Sequence, residues 1–197
     1  QEDAPLEVRS PLPYVGFGGV KLARAIEYFS LDVSGKIAID VGSSTGGFVD
    51  CLLQSGAARV YAVDVGTHQL HEKLRRDERV VVLENVNARY MSPELIGELV
   101  SIATIDVSFI SLKKIIPAVI PLIVPGGLLV TLVKPQFEVG RYQVGKGGIV
   151  KDEERVRTVL EDMKVFGESE GLSFTGITED PREKEKKNRE YLILWER

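Results

Sequence analysis

Short apolar runs alternate with longer amphipathic stretches along the chain of 197 residues. Seven runs are rich in β-branched residues and are flanked by polar or turn residues, which predicts strands. These lie at 36–41, 59–63, 80–83, 102–107, 128–133, 173–177 and 191–195. Stretches with apolar residues three or four apart predict helices. These lie at 20–29, 47–54, 93–100, 112–124 and 152–170.

Several predicted strands, including 102–105, are apolar at nearly every position rather than at alternate ones. This is typical of a sheet that helices cover on both faces. Repeated strand–helix units therefore predict an α/β, doubly wound domain with a mostly parallel sheet of seven strands. Too few residues separate the last two strands for a crossover helix, so an antiparallel hairpin is expected at one edge. Residues 1–13 contain three prolines and no apolar period, so we expect an arm or linker there and one domain at 14–197.

A glycine-rich turn follows the first predicted strand, which contains Asp40. The turn is Gly42-Ser43-Ser44-Thr45-Gly46-Gly47-Phe48, and a predicted helix begins within it. Glycines allow a sharp turn and a close approach of ligand to backbone, and open α/β sheets bind ligands at the carboxyl ends of their strands. Asp64 follows the second strand, where an acid can bind ribose hydroxyls. The dinucleotide spacing Gly-x-Gly-x-x-Gly and the P-loop ending are absent, which favours a nucleoside ligand such as S-adenosylmethionine. The alternative is a strand–helix turn whose glycines serve packing alone.

Composition restricts the classes of function. The chain has 25 Lys and Arg against 29 Asp and Glu, a net charge of −4, so contact with nucleic acid must be local or assisted from outside the chain. The apolar stretch 115–124 contains two prolines and is shorter than the ~20 residues of a membrane span. Cys51 is the only cysteine, and His68 and His71 lack a third ligand in register, so no metal site is expected. A lone cysteine and no apolar leader favour a cytoplasmic location.

Five separated segments carry a family signature. They are Gly19-Val20-Lys21-Leu22, Asp40-Val41-Gly42-Ser43-Ser44-Thr45-Gly46-Gly47-Phe48, Asn87-Ala88-Arg89, Asp106-Val107-Ser108-Phe109-Ile110-Ser111-Leu112 and Val133-Lys134-Pro135-Gln136-Phe137-Glu138-Val139-Gly140. With them the chain resembles, from Tyr14 onward, the TlyA branch of the FtsJ-like RNA 2′-O-methyltransferases. The resemblance implies a Rossmann-like methyltransferase fold and S-adenosylmethionine-dependent methylation of a ribose 2′-hydroxyl. The implied substrate is cytidine in ribosomal RNA, as free RNA or in ribosomal subunits. Some members are labelled haemolysins, but the sequence contains no segment suited to pore formation.

The resemblance also implies a catalytic set of two lysines and two acids: Lys21, Asp106, Lys134 and Glu190. A ribose hydroxyl needs a base to take its proton, but a free lysine amine, with a pKa near ~10.4, is protonated at neutral pH. Burial and a neighbouring cation both favour the neutral amine. We hypothesise that Lys134 is the base and that Lys21 stabilises the developing oxyanion. The two acids would orient the amines, and the alternative for each residue is an ordinary ion pair.

The resemblance further indicates how the cofactor would lie. We expect it against the glycine turn at 42–48. Asp64 is expected at its ribose and Asp106 near its methionine end. Asn87 and Ala88 are expected near its adenine. Asp64 and Asn87 could instead cap the turns that follow them.

The chain departs from its branch in two respects. These proteins carry an N-terminal S4 RNA-binding domain, which the 197 residues do not contain, so autonomous docking on RNA is not expected. The loop 182–189 is densely charged, and it could contact RNA phosphates or be a solvated surface. A non-catalytic ribosome- or RNA-binding module that keeps the fold is the alternative function. A nicotinamide-dependent oxidoreductase is a third, and would bind NADH.

Overall fold

One mixed sheet organises the chain in a computed structural model that describes residues 12–140, 144–180 and 188–197. Its strands are β1 (Ile37–Val41), β2 (Arg59–Val63), β3 (Val80–Leu83), β4 (Val100–Ile105), β5 (Ile123–Val133), β6 (Ser173–Glu179) and β7 (Tyr191–Glu196). Their order is β3-β2-β1-β4-β5-β7-β6. The pairs among β1 to β5 are parallel, and β7 is antiparallel to both of its neighbours. The predicted seven-stranded, mostly parallel sheet with its antiparallel hairpin is confirmed.

The order of the two strands within the hairpin matters for function. Strand β7 lies between β5 and β6, so β6 is the outer strand of the hairpin. Tyr191 pairs with Val133, which places the residue before β7 opposite the residue after β5. The predicted end of β4 at 107 was wrong, because the strand ends at Ile105 and the chain then turns over the carboxyl edge.

Helices cover both faces of the sheet. They are α1 (Phe17–Phe29), α2 (Gly47–Gln54), α3 (Glu72–Arg75), α4 (Pro93–Ile96), α5 (Ile116–Val119), α6 (Pro135–Glu138) and α7 (Glu153–Ser169), with 3₁₀ turns at Ala88–Tyr90, Leu112–Lys114, Ile120–Leu122 and Lys146–Gly148. The expectation of one helix over 112–124 was wrong: Pro117 and Pro121 lack the amide hydrogens that a continuous helix needs, and three short turns form instead. Helix α4 stops early because Gly97 adopts φ 80°.

Alternate side chains of each strand enter two separate cores. In β1, Ile39 and Val41 belong to the core under α5 and α7, whereas Ala38 belongs to the core under α1 and α2. Asp40 therefore points to the α1 and α2 side, beside Thr104 of β4. The same side, continued beyond the strand ends, carries the polar residues of the candidate site. The predicted arm at 1–13 falls outside the described residues up to position 11, and the charged loop does so at 182–187.

Candidate active site

The glycine turn after β1 brings three strand ends together. Gly42 has φ +86°, and a Cβ there would lie 2.3 Å from the carbonyl oxygen of Asp106. A side chain at Gly42 is therefore excluded both by backbone strain and by the close approach of the β4 end. The amides of Gly42 and Ser43 donate to the carbonyl oxygen of Val63, at 2.8 and 3.0 Å, which attaches the turn to the end of β2.

The start of α1 lies directly on the same turn. A Cβ at Gly47 would lie 2.8 Å from the amide nitrogen of Gly19, so the two backbones touch. Lys21 follows on the first turns of α1 and is nearly buried. Glycines at the contact thus bring a lysine from the beginning of the domain to the carboxyl edge of the sheet.

Two adjoining cavities open over this edge. The larger has a volume of about 570 Å³ and extends from the glycine turn across the ends of β2 and β4. The smaller, of about 210 Å³, lies between the glycine turn, the start of α1 and Lys134. Both cavities are lined by Gly42, Ser44, Asp106 and Ser108. The shared residues make them two compartments of one site.

Four residues that were predicted to bind the cofactor line the larger cavity. Asp64, Asn87, Ala88 and Asp106 all line it. The carboxylate of Asp64 accepts from the amides of Ser44 and Gly66, at 2.8 Å each, so it both caps its own turn and connects to the glycine turn. The side chain of Asn87 accepts from the amide of Arg89 and caps the short turn after it. The capping roles expected as alternatives are present, and lone pairs on these oxygens remain for ligand hydroxyls.

The glycine turn is divided between the compartments. Ser43, Thr45, Gly47 and Phe48 line only the smaller cavity, together with Gly18. Gly46 lines neither of the two cavities. It has φ +97° and packs under the side chain of Leu74, where a Cβ would lie 2.2 Å away, so its role is to shape the turn.

The two lysines and two acids of the implied catalytic set form two ion pairs. Lys21 Nζ lies 2.6 Å from Glu190 Oε2, and Lys134 Nζ lies 2.5 Å from Asp106 Oδ1. All four side chains are at least four-fifths buried. The β5–β7 register places Glu190 opposite Lys134, so the two pairs are neighbours along the sheet edge. Lys134 and Asp106 line the smaller cavity, whereas Lys21 and Glu190 line neither cavity.

The loop after β4 and the segment after β5 brace each other at three points. Lys134 Nζ contacts the start of the loop at Asp106, and the Phe109 and Phe137 rings lie 5.1 Å apart at its middle. At its end, Glu138 accepts from the hydroxyl of Ser111 at 2.5 Å and from a backbone amide at 2.8 Å. Phe109 has φ +65°, which is rare for an aromatic residue, and its ring is 90% exposed at the mouth of the larger cavity.

Asp40 is a buried acid directly beneath the site. Its Oδ1 accepts from the hydroxyl of Thr104 at 2.7 Å, and its Oδ2 has no hydrogen-bond partner among the described residues. Burial, reinforced by the charges of Asp106 and Asp64, raises the pKa of Asp40 to about 8, against the hydrogen bond from Thr104. Asp40 is therefore mostly neutral at pH 7.

Sequence reasoning did not single out Ser108, Phe109 or Gln69, although all three line the larger cavity. Ser108 and Phe109 lie on an irregular loop whose geometry depends on one left-handed residue. Periodicity carries no information on such a loop. The available signals were their place in the signature segment 106–112 and their position after the carboxyl end of a strand.

The larger cavity fits a nucleoside-based methyl donor. Its volume lies within the ~300–1,000 Å³ of small-molecule sites. Its walls combine apolar side chains, such as Val86 and Ile115, with the acids Asp64 and Asp106. Two carboxylates beside the glycine turn disfavour a pyrophosphate but suit ribose hydroxyls and a cation. The electrostatics therefore favour S-adenosylmethionine over a dinucleotide.

Two other classes of site were searched for in the part of the chain that the structure describes. It holds no group of three or more His, Cys, Asp or Glu side chains that could bind a metal ion. None of its helices combines the length and the apolar composition that a membrane crossing requires.

Comparison with known proteins supplies the family. The family model of FtsJ-like methyltransferases matches residues 14–197. A Bacillus subtilis protein, YqxC, provisionally named an rRNA methyltransferase, is 50% identical over 193 residues, which are 97% of this chain and 69% of that protein. The 16S/23S rRNA (cytidine-2′-O)-methyltransferase TlyA of Mycobacterium tuberculosis is 45% identical over 183 residues, covering 92% of this chain and 68% of TlyA.

A solved structure shows the same likeness in three dimensions. It is a Streptococcus thermophilus protein provisionally named a hemolysin, 48% identical, with a TM-score of 0.91. The match covers 95% of this chain and 68% of that one. The names of these similar proteins thus divide between RNA methylation and haemolysis.

Proposed function

This chain belongs to the FtsJ-like methyltransferase family, and from that premise we propose that it methylates the ribose 2′-hydroxyl of cytidine in ribosomal RNA, with S-adenosylmethionine as methyl donor. One arrangement carries the proposal: a buried lysine–aspartate pair borders a cavity that adjoins a nucleoside-sized one, with Asp106 common to both. A module that only bound RNA would not require a buried amine at that junction.

The residues of the larger cavity would hold the cofactor. Asp64 offers carboxylate oxygens to ribose hydroxyls, and Val86 and Ile115 offer apolar walls to a base. The backbone of Gly42 and Ser44 allows the close approach that a side chain would prevent. When bound, S-adenosylmethionine supplies an electrophilic methyl group.

The chain's own residues prepare the ribose hydroxyl to attack. Lys134, in its neutral form, accepts the proton that the 2′-hydroxyl loses, and Asp106 fixes the direction of its amine. Lys21, held by Glu190 at 2.6 Å, would stabilise negative charge that develops on the ribose oxygen. The strand ends hold these groups in fixed positions, and positioning supplies a large share of the rate.

Exposed groups around the larger cavity support contact with RNA. The ring of Phe109 is available for a base to stack on. Arg89 lines the cavity and Lys114 is exposed beyond the loop, and neither has a carboxylate partner among residues 12–140, 144–180 and 188–197. Local cations of this kind are what a chain of net negative charge would use to contact RNA.

A methyl-transfer assay tests the proposal. Purified protein is incubated with S-adenosylmethionine labelled in its methyl group and with either ribosomal subunits or deproteinised ribosomal RNA. The expected result is label on the 2′-oxygen of cytidine, identified by digestion to nucleosides and mass spectrometry, and its loss in Lys134→Ala. Label on a base, or no transfer by a protein that binds the cofactor, would contradict it. Comparison of the substrates decides between free RNA and assembled subunits, and addition of a separately expressed S4 domain tests the need for assisted docking.

A further inference from the structure

The amine of Lys134 is held by three successive residues. Its Nζ lies 2.5 Å from Asp106 Oδ1, and it donates to the carbonyl oxygen of Val107 at 3.1 Å and to Ser108 Oγ at 3.0 Å. A lysine ammonium has three N–H donors. Two of them form the hydrogen bonds to Val107 and Ser108, and the contact with Asp106 is an ion pair without hydrogen-bond geometry. In this state the amine has no lone pair with which to accept a proton.

The three partners differ in what they can do when Lys134 loses a proton. A neutral amine has two N–H donors and one lone pair. The carboxylate of Asp106 and the carbonyl of Val107 can only accept hydrogen bonds, so they retain the two N–H groups. The hydroxyl of Ser108 alone among the three also carries a proton to donate. The lone pair of the neutral amine is therefore directed at Ser108.

Ser108 also connects the amine to the larger cavity, because Lys134 lines only the smaller one. The side chain of Lys134 is only 10% exposed, whereas Ser108 is exposed and lines both cavities. We propose that the Ser108 hydroxyl is a catalytic group that relays the proton of the substrate's ribose 2′-hydroxyl to Lys134. This inference rests on the proposed function and adds a fifth reacting group to it.

Each proton in the relay has a donor and an acceptor. The ribose hydroxyl donates to Ser108 Oγ, and the Ser108 hydroxyl donates to the neutral amine of Lys134. As the ribose oxygen forms its bond to the methyl carbon, the bond from that carbon to the donor sulfur breaks and leaves its electron pair on sulfur. The ribose O–H bond breaks in the same step, and its proton passes to Ser108 Oγ. The original proton of Ser108 passes to Lys134, which becomes an ammonium ion, and Ser108 ends as an unchanged hydroxyl. The positive charge lost from the methyl donor appears on Lys134.

The brace on the β4 loop keeps this relay in register. Glu138 holds the far end of the loop through Ser111, and the Phe109–Phe137 contact holds its middle. Both bracing residues of the second segment follow Lys134 by three or four positions. The loop that carries Ser108 and the amine that it serves therefore move as one unit.

Substitution of Ser108 tests the relay in the full chain. We expect Ser108→Ala to lower the single-turnover rate of methyl transfer about 10²-fold, since proton transfer by a positioned group contributes at least that much. Ser108→Thr keeps the hydroxyl and is expected to restore most of the rate. Ser101→Ala, at the other end of β4, is the matched control and should behave as wild type. Cofactor affinity, measured by calorimetry, should be unchanged in all three variants. A Ser108→Ala protein that methylates at the wild-type rate, or one that loses cofactor affinity in proportion to rate, would overturn the relay.

A second measurement needs neither cofactor nor RNA. Competitive acetylation with acetic anhydride reports the availability of each lysine lone pair, and peptide mass spectrometry follows Lys134. Because the Ser108 hydroxyl covers that lone pair, acetic anhydride should acetylate Lys134 faster in Ser108→Ala than in wild type. The same variant should methylate RNA more slowly. Unchanged acetylation overturns the contact on which the relay depends. Should wild-type protein methylate no RNA, the proposed function fails, and the acetylation result still decides whether Ser108 covers the amine.

Discussion

Two lysine–carboxylate pairs lie side by side at the carboxyl edge of the sheet, and they are nearly identical in distance and burial. Lys21–Glu190 joins a helix to β7, whereas Lys134–Asp106 joins the ends of β5 and β4. They differ in their surroundings. Among the residues that the structure describes, only the second pair borders the two cavities, and only its amine has further oxygen partners. The distance and burial of an ion pair therefore do not reveal its role. The cavities and the side chains around the pair do.

The largest expected effect is the loss of the proposed base, Lys134. It distinguishes this amine from that of Lys21, the proposed electrostatic partner. We expect Lys134→Ala to lower single-turnover methylation by about 10³-fold, because the base is lost. Cofactor affinity should be retained, since the larger cavity does not include Lys134. Rapid-quench assays at saturating cofactor measure the first effect and calorimetry the second. A rate close to that of wild type would assign the base elsewhere.

The second largest loss of rate is expected at Lys21, whose ion pair with Glu190 lies outside both cavities. Lys21→Ala removes a positive charge near the ribose oxygen, and we expect a loss of about 10²-fold in the same assay. Arg24, one turn later on α1 and paired with Glu27 in an exposed position, provides the control. Arg24→Ala should leave the rate unchanged. Equal losses in both variants would mean that α1 as a whole, rather than Lys21, is responsible.

A smaller effect is expected on cofactor binding, at Asp64 in the larger cavity. Asp64→Asn keeps one acceptor oxygen for the amide contacts but removes the charge, and we expect cofactor affinity to fall about tenfold, or ~1.4 kcal/mol. Calorimetric titration measures it, with Asp77→Asn, at the remote exposed pair with Arg79, as the control. A lower transfer rate at saturating cofactor with unchanged affinity would place Asp64 with the transfer groups instead.

The last effect concerns stability rather than catalysis, and it comes from Asp40, the acid beneath the site. Asp40 has a pKa of about 8 when folded, above the ~3.9 of an unfolded chain, so between these values the native state binds one more proton. Its contribution to the free energy of unfolding is therefore present below pH ~4 and falls by up to ~1.4 kcal/mol per unit as pH rises toward 8. Asp40→Asn imitates the neutral acid, so its stability relative to wild type should rise with pH. Urea unfolding from pH 5 to 8 measures this, and a constant difference would contradict it.

The sequence predicted the sheet well because its signals were local. Apolar runs located every strand, and the short link before β7 indicated the hairpin. Residues after strand ends, such as Asp64 and Asp106, could be placed near one another for the same reason. The helix at 112–124 was mispredicted because its apolar pattern persists through Pro117 and Pro121. Ser108 could not be predicted, because its place beside Lys134 depends on a loop conformation that no periodic pattern encodes.

The insertion of β7 between β5 and β6 has a consequence for biosynthesis. The sheet cannot close, and Glu190 cannot reach Lys21, until the residues up to Glu196 have left the ribosomal exit tunnel. A nascent chain that already contains every other strand still exposes the flank of β5 and lacks Glu190, one of the four side chains that we propose to be catalytic. Premature termination before β7 would thus yield an inactive polypeptide prone to aggregation, rather than a partly active enzyme.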